Sequence, residues 1–166
     1  MKKALKRTLA LLMATASLTV SLGGMSVHAA NTRDTRSTDF TAAPGIADTY
    51  TELPVTKDGV RVKTNNSSVY IYLTEADRDV YVQTWGLSDT NWSTAVANRT
   101  CNKNGRSTAR VTVSAGTRYV VKNLIHERGD ACAGLKFGST SYYNPSTIKG
   151  VWSPDYSGNL NVTVAN

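Results

Sequence analysis

Histidine is nearly absent from this chain of 166 residues: there are two, and one of them, His28, sits in the N-terminal leader. With His126 alone beyond it, a zinc site has no second imidazole and a catalytic triad has a single candidate base. Cysteine is as scarce. Cys101 and Cys132 cannot make a thiolate-rich metal site, and a reactive thiol partnered by His126 would need a reduced, low-pKa cysteine. Ser67-Ser68 and Ser139 to Ser141 lack the Gly-x-Ser-x-Gly or Ser-x-x-Lys surroundings of a serine nucleophile. These absences argue against an enzyme, and neither a metal nor another cofactor is expected. Beyond the leader there is no apolar run long enough to cross a bilayer, no internal repeat and no low-complexity tract. Leucine, lysine and glutamate are few for a helical protein.

What is present begins with an address. Lys2, Lys3, Lys6 and Arg7 form a basic start, Leu9 to Leu22 an apolar run softened by Thr and Ser, and Val27-His28-Ala29 offers small residues for cleavage. That pattern is a secretory signal peptide, residues 1–29, and it places the protein outside the cell. The leader carries four of the 19 basic residues and no acid, so against 12 acidic residues the formal charge falls from +7 to +3. A mild positive excess draws the chain weakly to anionic surfaces and makes no case for nucleic acid. Residues 30–58 are polar, with Pro44, Gly45 and Pro54, and read as a flexible arm with a short edge strand near Tyr50 to Val55.

From Gly59 the period is two. Eight runs alternate apolar with polar: Val60–Lys63, Val69–Thr74, Val80–Trp85, Ala109–Val113, Arg118–Ile125, Ala131–Phe137, Ile148–Trp152 and Leu160–Val164. Turn residues separate them, as at Asn104-Gly105 and Arg128-Gly129-Asp130. Short strands with such punctuation predict an all-β domain over 59–166, a single antiparallel β-sandwich of seven to eight strands. Leu87 to Thr100, rich in Thr and Asn, reads as a loop with at most one helical turn.

The strongest alternation lies between the two cysteines. Ser107–Ser114 and Arg118–Ile125 read as a hairpin closed by a three-residue loop, Ala115 to Thr117, which sets Val113 opposite Tyr119 and Val111 opposite Val121. Cys101 and Cys132 bracket that hairpin, and in a secreted chain they are expected to form one disulfide.

Aromatic residues are the richer functional signal. Tyr70, Tyr72 and Tyr81 lie opposite the aliphatic positions of their own strands and are expected to share one sheet face across the turn from Glu75 to Asp79. They are the candidate ligand-facing aromatics, since exposed rings suit a sugar or a protein partner. The Glu75-Ala76-Asp77-Arg78-Asp79 run reads as a solvated hairpin turn rather than a calcium loop, because Arg78 sits inside it and no glycine provides the bend. His126-Glu127 reads as a surface pair. The Asn-x-Ser/Thr matches that start at Asn66, Asn91, Asn98 and Asn161 are chance in a chain this rich in Asn and Thr.

Three segments carry a resemblance: Tyr81-Val82-Gln83-Thr84-Trp85-Gly86, then Asn123 to Leu135 with Glu127-x-Gly129 and Ala133-x-Leu135, then Gly150-Val151-Trp152-Ser153-Pro154-Asp155. Together they resemble a group of small, secreted, uncharacterised proteins of Gram-positive bacteria, each a leader followed by one β-rich domain. The resemblance implies secretion and an all-β fold and no catalytic residue. The function expected is a secreted, non-enzymatic binding or surface-interaction module for an extracellular ligand, either cell-wall glycan, another glycan or a protein. The alternative is a secreted antagonist of bacteriocin-like type.

Overall fold

The computed structural model of the chain describes residues 37–46, 49–53 and 59–166. The leader, 1–29, lies outside them, as do parts of 30–58. Among the described residues eleven strands form two sheets. Sheet A runs in the order β1 (Thr38–Ala42), β10 (Ile148–Ser153), β4 (Val69–Ala76), β8 (Arg118–Val121) and β11 (Thr163–Val164). Sheet B runs β2 (Thr51–Glu52), β9 (Cys132–Ser139), β5 (Val80–Leu87) and β6 (Ala95–Asn98), with β3 (Val60–Val62) also on β9 and β7 (Val111–Val113) also on β5. Every pairing is antiparallel except β11 with β8.

Alternation decides which side chains turn inward. On β4, Val69, Ile71 and Leu73 enter a core shared with Val80 and Val82 of β5 and with Leu135 and Phe137 of β9. Phe40 of sheet A stacks on Phe137 of sheet B, ring centroids 5.2 Å apart, so the inner faces of the two sheets meet. Each large side chain buried here contributes about 1.5–3 kcal/mol.

Each of the eight alternating runs holds a strand, and three strands lie outside them. β6 and a single 3-10 turn at Trp92–Thr94 occupy the stretch read as a loop; the cap is Asn91, whose side chain accepts from Ser93 N. β1 and β2 come from the 30–58 arm. β2, at the edge of sheet B, falls within the edge strand expected near Tyr50 to Val55. The rest of the segment is packed rather than flexible where it is described: β1 lies beside β10, Phe40 and Ala42 join the core, and Leu53 is fully buried. Its apolar residues are few and widely spaced, so its period is hidden.

The central hairpin does not form. β7 pairs with β5, Val113 opposite Val80 and Val111 opposite Val82, while β8 pairs with β4, Val121 opposite Val69. The link between them crosses from sheet B to sheet A, and Gly116, at φ 78°, donates its N–H to Leu73 O there. Both strands face the same core from opposite sides. Alternation fixes the face a strand presents, not the strand beside it. The same holds for β4 and β5, which are joined by the Asp77–Asp79 turn yet lie in different sheets.

The expected disulfide falls with the hairpin. Cys101 and Cys132 are free thiols, both buried. Cys101 is bridged to Ser107 and hydrogen-bonded to Lys122 O, whereas Cys132 begins β9 opposite Leu87. They flank a hairpin only in sequence.

Candidate functional site: the outer face of sheet B

β5 and β9 pair along eight residues, and their register stacks outward positions in rows: Tyr81 beside Gly138, Gln83 beside Lys136, Trp85 beside Gly134. The two glycines leave room for rings to lie on the sheet. A Cβ at Gly134 would come within 2.7 Å of Trp92, and one at Gly138 within 3.1 Å of the Tyr50 ring. Trp92 is fixed by its indole N–H, which donates to Leu53 O at 2.7 Å. Beneath it Val60, Leu87 and Cys132 form a second apolar cluster, with Trp85 and Ala95 packed against it.

Two cations sit among these rings. The Lys136 ammonium lies 4.1 Å from the Trp85 ring centroid and 5.2 Å from that of Trp92, and pairs with Glu52 at 2.8 Å. The Arg110 guanidinium lies 3.7 Å over Tyr81, and its Nη1 donates to Tyr50 Oη at 3.3 Å. Trp85 Nε1 donates to Gln83 Oε1 at 2.9 Å. Tyr50, Tyr81, Gln83, Trp85, Arg110 and Lys136 are all half-buried, so each keeps a face toward solvent while its geometry is set by neighbours. Side chains held this way lose little rotamer entropy when they bind. Chemically the face offers flat apolar surface and two cations in fixed places, one of which, Lys136, is already paired with Glu52.

The three candidate tyrosines do not share it. Tyr81 does belong to this face. Tyr70 and Tyr72 are on β4, on the outer side of sheet A, because β4 and β5 are in different sheets. Tyr70 is fully buried, stacked on Tyr156 at 6.1 Å, so it faces no ligand. Tyr72 is half-buried with Arg118 5.9 Å from its ring. Tyr50, Glu52, Arg110 and Lys136 escape a reading of the sequence, since only strand pairing brings them together. Trp85, which closes the alternation of β5, is the signal that was there to find.

The familiar segments prove to be packing stations. Gly86 lies against Asp130, whose carboxylate holds Arg99 Nε at 2.7 Å; a Cβ at Gly86 would sit 1.9 Å from Asp130 Oδ2. Asp155 is buried and accepts from Lys63 Nζ at 2.6 Å and from Thr64 N and Oγ1 at 2.9 and 2.6 Å. Burial alone would raise its pKa, but these hydrogen bonds from Lys63 and Thr64 outweigh it and hold the carboxyl below its ordinary value. The run Val60 to Lys63 therefore inverts at its end: Val62 is 57% exposed and Lys63 only 4%.

Ser146-x-x-Lys149 has the spacing of a serine–lysine nucleophile pair. In the structure Ser146 Oγ donates to Asp77 and Lys149 pairs with Glu75 at 2.7 Å, so the two are otherwise engaged. His126 and Glu127 are exposed on a 3-10 turn that Gly129 ends in the left-handed region. Among the described residues no group of three or more His, Cys, Asp or Glu is placed to hold a metal ion. Nor is any described helix long and apolar enough to cross a membrane.

No curated protein and no solved structure matches the chain. The profile of a family described as Protein of unknown function (DUF2712) matches residues 25–156, which takes in both sheets up to Tyr156, and the chain belongs to that family.

Proposed function

We propose that the chain is a secreted, non-enzymatic binding module, one of the small β-rich proteins that Gram-positive bacteria export. In this reading residues 1–29 are a signal peptide, the two sheets pack as a β-sandwich, and the outer face of sheet B engages an extracellular ligand. The ligand is cell-wall glycan, another glycan or a protein. The observation that carries the reading is the row of half-exposed rings and fixed cations on β5 and β9, Tyr81 with Arg110 and Trp85 with Lys136. Ring faces take sugars and aromatic partners, and cations seated on rings take anionic or hydroxyl-rich groups.

Retention of the exported protein on purified cell wall tests it. Trp85→Ala and Lys136→Gln should each lower retention about fivefold or more, the scale of a single interface anchor. Equal retention by both variants, with their folds intact, removes this face from the reading. The N-terminus of the exported protein should be Ala30 or Asn31. A killing assay on neighbouring strains separates the antagonist: killing without any retention would replace the binding module.

A further inference from the structure

A second recess lies away from that face, where β8 runs out. It encloses about 260 Å³ and is lined by Asn66, Ser68, Cys101, Lys122, Asn123 and Glu127, with Gly105 at its rim. Its walls are fixed by hydrogen bonds. Asn102 Oδ1 accepts from Asn104 N and Arg106 N at 3.0 and 3.1 Å, which sets the 102–106 turn. Lys122 Nζ donates to Lys103 O in that turn at 2.8 Å, so its ammonium is held at the mouth. Asn123 is spent on structure, donating to Val121 O and accepting from Ile125 N. The buried Cys101 thiol is kept neutral at pH 7, since burial and the Glu127 charge both push it up.

The side chains of Asn66, Ser68 and Glu127 have no hydrogen-bond partner among the described residues. All three line the recess together with Lys122. The turn adds Lys103 and Arg106, both exposed. Counted with Lys122 against Glu127, the two cations of the turn that borders the recess give a formal excess of two positive charges. A phosphate monoester carries about −1.5 to −2 near neutral pH, which matches that excess. Glu127 would repel a bare anion, but a carboxylate accepts hydrogen bonds from hydroxyls. The volume suits one small unit rather than a chain of them.

We propose that this recess is a binding site for the phosphate monoester of a polyol or sugar. Lys122 meets the phosphate, Lys103 and Arg106 add to the field, and Asn66, Ser68 and Glu127 take the hydroxyls. The site shares no residue with the outer face of sheet B.

Calorimetric titration of the exported protein with sn-glycerol 3-phosphate and with inorganic phosphate tests it. Glycerol 3-phosphate should bind saturably and at least fivefold more tightly than inorganic phosphate. Lys122→Gln should weaken both by about tenfold. Glu127→Gln should weaken glycerol 3-phosphate while leaving inorganic phosphate unchanged or tighter, and Trp85→Ala should change neither. Both substituted side chains of the recess lie at the surface, and thermal melts establish that the variants fold. Absence of saturable binding, equal affinity for the two ligands, or a Glu127→Gln variant that tightens both alike would overturn the assignment.

Discussion

Lys63 and Asp155 stand 92 positions apart in the chain and 2.6 Å apart in the fold. A buried charge is tolerated only with a partner, so removing one leaves the other stranded. Asp155→Ala or Lys63→Met should cost about 3–5 kcal/mol in denaturant melts. Replacing both together by apolar residues should cost less than either alone. The pair also sets an acid limit. The folded-state pKa of Asp155 is lowered, so its contribution is fully present above the ordinary value near 3.8 and is lost as pH falls through the lowered one. Melts from pH 5 to pH 2 should show this loss, and Asp155→Asn should flatten it. None of this was legible in the sequence, where Lys63 reads as the polar partner of Val62 and Asp155 as a turn residue. The cysteines carry the second expectation at this scale. Unreduced protein in denaturant should label at two thiols, and native protein at almost none, because both are buried. One disulfide in the denatured, unreduced protein would restore the bond expected from their spacing.

At the scale of strands, one glycine of β5 shows how closely the chain before β9 approaches it. Gly86→Ala forces a Cβ into Asp130 and so strains the Arg99–Asp130 pair. The expected cost is about 1–3 kcal/mol, as for other overpacked sites, and Arg99→Met should not add fully to it. The alternating runs made the inward residues of β4 and β5 legible, since a period of two is a property of one strand. Partners were not, since pairing belongs to two strands. The candidate face shows the same division. Tyr81 and Trp85 stand out in sequence, whereas Lys136 and Arg110 reach them only because β9 and the approach to β7 flank β5. Paired cysteines can check the correction. Tyr81→Cys with Thr112→Cys, directly opposite in β5 and β7, should cross-link on mild oxidation. Thr112→Cys with Val120→Cys, opposite in the hairpin that does not form, should not. Peptide mapping distinguishes the two.

For the molecule as a whole, the class of fold was legible and its wiring was not. Val, Thr and turn residues make strands almost unavoidable, but six of the ten links between successive described strands, β4 to β5 and β7 to β8 among them, pass from one sheet to the other. A local pattern cannot announce such a crossing, because the residues it satisfies lie far along the chain. The wiring has a consequence in time. β1 has a single neighbour, β10, with Thr38 opposite Trp152 and Ala42 opposite Ile148. Among the first strands to leave a ribosome, β1 therefore waits for nearly the last, and Phe40 stays wet until then. Pairings of such long sequence separation are slow, so refolding from denaturant is expected in milliseconds to seconds rather than microseconds. Stopped-flow tryptophan fluorescence would time it. Every strand of sheet B is made before β10, so it is sheet A, and its β1 edge above all, that closes only when the end of the chain has been made.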